Sequence, residues 1–174
     1  MYPIIFITEE MIEEAIRLTP SVKVNRTIAS NIDTISGILG EFIFAQYMYG
    51  DWKKNRVGIN KGQEDFTDIE IKTSTYPFRD SLNLLVREDY AKKRKPPFYI
   101  QIIIDIYTNN INDFIPGIKA YISGWATSED VENAPLKDFG SKFGNKAGYL
   151  CHYIQIKNLN LMKNFKSVYY KKDK

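Results

Sequence analysis

Cysteine and histidine each occur once, as Cys151 and His152. One thiol cannot close an internal disulfide, and no cysteine-based zinc site can be built from it. A single histidine removes every mechanism that needs two, and no recognisable serine motif is present to form a triad with it. So little cysteine fits a reducing, cytoplasmic (intracellular) setting. No apolar run approaches the ~20 residues of a membrane span, so no membrane partner is expected. The opening MYPIIFITEEMIEEAI lacks a basic stretch and turns acidic within nine residues, unlike a secretory leader. A large excess of one charge is missing too. The formal net charge is +3, so any argument for a charged partner must rest on local patterning.

What is present is ordinary for a folded protein: 174 residues, 44% hydrophobic and 26% charged. That suits one domain over 1–174 with a core of its own, ending in a basic tail at about 163–174. TEEMIEEAIRL (8–18) predicts a helix capped by Thr8, with acids in its first turns and Pro20 as its stop. Apolar residues from Ile28 to Met48 recur at spacings near three and four, which predicts a longer helix over 26–49, stopped by Gly50. Gly37 and Gly40 inside it each cost roughly 1 kcal/mol relative to alanine. Close approach of another backbone is the expected reason for both. The period then changes. NRVGIN (55–60), 65–66 with 69–73, 82–86, 98–107, 119–124 and 149–156 read as strands, with Lys61-Gly62 as a turn and 87–95 as a short charged helix or loop. FYIQIIIDIY (98–107) is the strongest of them, nearly all β-branched or aromatic, as a central buried strand should be. The order of elements predicts an α/β or α+β fold with a mixed sheet.

EDFTDIEIKTS (64–74) sets four acids and a lysine into one of these strands. Glu70 and Lys72 share a face, and Ile69, Ile71 and Thr73 take the other. As a surface ion pair, Glu70–Lys72 is worth roughly 0–1 kcal/mol, and E-x-K alone says no more than that. The context adds to it. A tight bend at Thr67-Asp68 would return Asp65 beside Glu70. Two carboxylates held together repel unless a cation joins them. Oxygen donors without histidine or cysteine point to Mg²⁺, with Mn²⁺ in its place.

Asp65-x4-Glu70-Ile71-Lys72, followed by Thr73-Ser74, resembles the D…(D/E)-x-K signature of the PD-(D/E)xK nuclease superfamily. The likeness covers roughly 26–105. It extends to the helix before the motif, where Gly40-Glu41 in GILGEFIFAQYMYG matches the family's G-E; Glu41 is an isolated acid in an apolar stretch. The resemblance implies a restriction-endonuclease-like three-layer α/β fold, with a central mixed β-sheet flanked by helices. It implies that Asp65, Glu70 and the main-chain carbonyl of Ile71 are metal ligands, Lys72 the catalytic lysine, and Glu41 a further carboxylate of the metal or its water shell. The implied activity is Mg²⁺-dependent hydrolysis of DNA phosphodiesters by metal-activated water, with a homodimer favoured for duplex cleavage. The family's usual proline before the first acid is replaced by Glu64. The short spacing leaves Asp68, which shares strand parity with Glu70, as the other candidate for the first carboxylate. A catalytically inactive nucleic-acid-binding or assembly module on the same fold is the second reading. A plain α/β domain with a surface ion pair is the third, and it predicts Glu41 far from Glu70.

The segment REDYAKKRK (87–95) carries a net +3. Lys92, Lys93, Arg94 and Lys95 are its candidate phosphate contacts, against the alternative of a solvated helix. Arg26 and Asn31 are candidates to line a cleft, and Gln101 to stand near Lys72. Trp125 and His152 are expected to be structural.

Overall fold

The computed structural model describes residues 1–22, 31–59, 63–139 and 150–171. Arg26, Lys61-Gly62, Tyr149, the first residues of the expected second helix and the last lysines of the basic tail lie outside the described residues.

The chain enters on a short strand, β1 (Ile4–Phe6), and then α1 (Glu9–Val22). Thr8 opens the helix as expected, its Oγ1 accepting from the Met11 N–H at 3.3 Å. Pro20 does not stop it. The proline stands in the last turn, where its missing N–H removes only one helical bond. The Thr19 hydroxyl also donates to the Ala15 carbonyl there. α2 (Asn31–Tyr49) is buried almost all round, so it needs neighbours on several sides. Gly50 ends it with φ of 69°, and its N–H returns to the Gln46 carbonyl at 3.0 Å.

The strand expected over 55–60 is not formed by its described part. Instead Asp51 caps a 3₁₀ turn at Trp52–Lys54, and the Asn55 side chain accepts from the Val57 N–H. This local side-chain-to-backbone bonding competes with a sheet ladder. Strands β2 (Ile69–Thr75) and β3 (Asn83–Arg87) follow, then α3 (Glu88–Lys93), β4 (Phe98–Ile104), β5 (Lys119–Thr127), α4 (Ser128–Asn133), β6 (Leu136–Asp138), β7 (Leu150–Gln155) and α5 (Phe165–Lys171).

The protein is mixed α/β, with a mixed sheet flanked by helices. Its strand order is β1-β5-β4-β2; β4 runs parallel to β2 and antiparallel to β5. All seven residues of β4 are buried, as the expected central strand should be. β3, β7 and β6 form a second, antiparallel sheet, which the expectation of one central sheet did not contain. Two cores result. On one face of the mixed sheet, α1 and α2 pack on Ile69, Ile71, Ile100 and Ile102. On the other, Tyr99, Ile103 and Ala126 meet Leu84 and Val86 of the second sheet and Ala91 of α3.

The segment read as a basic tail is, through Lys171, a docked helix. Phe165 is fully buried against Phe98 and Trp125, and Tyr169 stacks on Phe165. Trp125 and His152 are both buried. The indole N–H donates to the Leu161 carbonyl, and His152 Nδ1 lies 2.9 Å from the Ala134 carbonyl.

Candidate active site

β2 ends the mixed sheet, paired through its length with β4, so its far edge is open among the described residues. Just before it, Phe66 and Ile69 exchange backbone bonds of 3.1 and 3.0 Å around the expected Thr67-Asp68 bend. Asp68 takes φ of 65°, a left-handed conformation that aspartate tolerates better than most residues. The Tyr169 hydroxyl of α5 donates to the Thr67 carbonyl at 3.1 Å and fastens the bend.

The bend brings Asp65 back to the strand. The Ile71 N–H donates to Asp65 Oδ2 at 2.7 Å. In an extended strand the N–H and C=O of one residue point to the same side, so the Ile71 carbonyl faces this open edge as well. Asp68 occupies the bend itself; Asp65 is the acid bonded to the strand.

Alternation sends Ile69, Ile71 and Thr73 towards α2, and Glu70 and Lys72 to the opposite face. α2 comes closest at Gly40, where an added Cβ would collide with Thr73 Oγ1 and lie 3.0 Å from Thr73 Cβ. The neighbour that Gly40 makes room for is the Thr73 side chain rather than the expected backbone, and the next residue, Glu41, comes within the field of Asp65 and Glu70. Gly37 differs from the expectation: it is exposed, with nothing within 4 Å of an added Cβ.

The electrostatics follow from this crowding. Burial pushes the Glu41 carboxyl up to about 9, and the charges of Asp65 and then Glu70 push the same way. Asp65 is raised to about 7 by burial and by Glu70, against the Ile71 N–H, Lys72 and Arg94, which pull it down. Lys72 Nζ donates to Glu70 Oε1 at 2.7 Å. Gln101 is the register partner of Lys72 across the β2–β4 ladder; it is buried, and its amide donates to the Ile102 carbonyl.

On the Glu70–Lys72 face lies a groove of about 310 Å³ lined by Glu70, Lys72, Tyr90, Arg94, Pro96 and Tyr99, among others. Of the four expected phosphate contacts, Arg94 alone lines it. Lys92 is paired with Glu88 at 2.6 Å and Lys95 with Glu132 at 2.9 Å, both on the surface. Asn31 opens α2, about 15 Å along the helix axis from Glu41. Tyr90 and Tyr99 were not singled out in the sequence. The only trace there is parity: Tyr99 shares a face with Gln101, and the sequence does not say which residues of β2 stand beside it.

Among the described residues, no three acid, histidine or cysteine side chains are gathered as they would be around a metal ion. One oxygen of Asp65 is taken by the Ile71 N–H and one of Glu70 by Lys72. The donor chemistry still suits a hard divalent cation. The site offers oxygen without nitrogen or sulfur, and its carboxylates repel one another in a way that bound positive charge would relieve. No protein-family model, curated protein or solved structure matches this chain.

Proposed function

We propose that this protein is a Mg²⁺-dependent nuclease with a restriction-endonuclease-like core, hydrolysing DNA phosphodiester bonds at the open edge of β2. One observation carries the reading. Glu41, from a helix, and Asp65 and Glu70, from a bend and a strand, lie within each other's electrostatic reach, with Lys72 clamped to Glu70. A plain surface ion pair would not draw an acid from an apolar helix to meet it, because burying an unpaired acid is costly.

Asp65, Glu70, the Ile71 carbonyl and Glu41 are the groups that would hold Mg²⁺, or Mn²⁺ in its place. When bound, the ion supplies a water of lowered pKa and positive charge beside the attacked phosphate. The Ile71 N–H fixes the Asp65 carboxylate, so that acid enters the site already oriented. Glu70 fixes the Lys72 ammonium, which stands ready to offset negative charge as the phosphate is attacked. Arg94 adds a second cation on the same face of the strand. Duplex cleavage would call for two copies of the chain related by symmetry.

The test is cleavage of plasmid and oligonucleotide DNA in Mg²⁺ or Mn²⁺, comparing wild type with Glu70→Ala and Lys72→Ala. Cleavage that survives both changes removes the assignment. A wild type that binds DNA but cuts none of it supports the inactive nucleic-acid-binding module instead.

A further inference from the structure

We propose that the groove beside Lys72 is a phosphate subsite, in which the Tyr99 hydroxyl and the Arg94 guanidinium donate to one phosphate of a nucleic-acid strand. Only the identity of the strand rests on the nuclease reading.

Tyr99 is the first support. It is 2% exposed, packed into the second core, and its hydroxyl makes no hydrogen bond with any described residue. The hydroxyl is not among the enclosed polar atoms left without a partner, which are Thr73 Oγ1 and Asn83 Oδ1 among the described residues. The buried ring thus presents its hydroxyl to the groove, where a ligand oxygen can replace water as its partner. β4 sets Tyr99 opposite Glu70 in the ladder, two positions before the Gln101–Lys72 pair and on the same face. The donor therefore stands beside the proposed reaction centre.

Arg94 is the second support. Arg87, Lys92 and Lys95 are each held by a carboxylate. Arg94 has no ion pair among the described residues; its guanidinium lies over the Tyr90 ring, 5.5 Å from the centroid. An aromatic face orients a guanidinium without neutralising it. Glu70, the one acid among the groove residues, is held by Lys72; Arg94 is left as the groove cation outside an ion pair, with Asp65 and Glu132 also within electrostatic reach of the groove, and it is the group that would draw an anion. A volume of about 310 Å³ is at the small end of ligand pockets, roughly 300–1,000 Å³. It suits one nucleotide unit, not a duplex lying inside it.

The probe is a short, fluorescently labelled DNA single strand titrated by anisotropy, with Ca²⁺ in place of Mg²⁺, over a series of salt concentrations. Arg94→Gln should weaken binding about tenfold and reduce the salt slope by about one unit. Tyr99→Phe should weaken it about three- to tenfold, leaving the salt slope and the melting temperature unchanged, because a neutral donor with no internal partner is lost. Strands with and without a terminal phosphate separate the two sources of the anion. A tenfold preference for the phosphorylated end assigns a terminal phosphate, and equal binding assigns an internal diester. The proposal is overturned by wild type that binds neither strand, or by both variants binding as wild type does. It is also overturned if Tyr99→Phe lowers the melting temperature by several degrees, which would give the hydroxyl a structural role. Binding that responds as expected in a protein that never cuts DNA would remove the nuclease reading and leave the subsite standing.

Discussion

On the α2 side of β2, Ile69, Ile71 and Thr73 meet a helix that is apolar nearly all round. On the other side the same strand carries Glu70 and Lys72 into a groove with Tyr99 and Arg94. The Glu70–Lys72 pair closes at 2.7 Å, almost the same as the 2.6 Å of Glu88–Lys92 on α3. Distance does not separate them; surroundings do. The side chains of Lys72 and Glu70 are 31% and 14% exposed, against 70% and 28% for Lys92 and Glu88. Of the two acids, Glu70 alone acts electrostatically on two further acids, Glu41 and Asp65. An ion pair on a helix surface is worth a few tenths of a kcal/mol. The same chemistry at a strand edge, crowded by carboxylates, is expected to be worth a reaction.

The largest predicted effect breaks that comparison directly. Glu70→Ala and Lys72→Ala should each lower DNA cleavage by about 10²–10⁴-fold. Glu88→Ala and Lys92→Ala should leave it within about twofold, since exposed pairs contribute little. Plasmid nicking in Mg²⁺ and in Mn²⁺ reads both. Equal losses from the two pairs would mean that location does not distinguish them.

The helix side offers a second contrast, between two glycines of one helix. Gly40→Ala would drive a methyl into Thr73 Oγ1 and against Thr73 Cβ and Cγ2; overpacking of this kind costs about 1–3 kcal/mol. Gly37→Ala meets open space and should stabilise the protein by about 0.5–1 kcal/mol through helix propensity. Urea unfolding should give opposite signs for the two. A destabilising Gly37→Ala would show that the glycine serves a contact beyond the described residues.

Much of this site was legible because its signals are local. Gly40-Glu41 within an apolar helix, the bend at Thr67-Asp68 and the parity of Glu70 with Lys72 are all read within a few residues. What was missed depended on distant pairing or on competition. Tyr99 stands beside Glu70 because β2 and β4 run parallel in one particular register, which alternation within a single strand cannot specify. The second sheet needs Leu84 to find Ile154 and Leu136 to find His152, across separations that local patterning does not encode. NRVGIN has strand composition, but Asn55 and Asp51 satisfy the backbone locally. The lysines of KNFKSVYYKKDK hid a docking helix whose anchors, Phe165 and Tyr169, are one helical turn apart.

The last predicted effect concerns pH and sharpens the contrast between Glu41 and the surface acids. Its carboxyl is raised from an ordinary 4.5 to about 9, chiefly by burial and then by Asp65 and Glu70. The folded protein therefore holds this proton more tightly than the unfolded chain does. The stability it brings is fully present below about 4.5, falls as pH rises, and is gone above about 9. Glu41→Gln removes the titration and keeps the shape. The variant should unfold at higher urea than wild type at alkaline pH, by at least about 1 kcal/mol, and the two should converge in acid. Added Mg²⁺ should narrow the alkaline difference, because it stabilises the ionised carboxylates of the wild type and has one fewer to hold in the variant. Parallel pH profiles for the two proteins would place Glu41 outside the field of Asp65 and Glu70, and would take away the observation on which the nuclease reading rests.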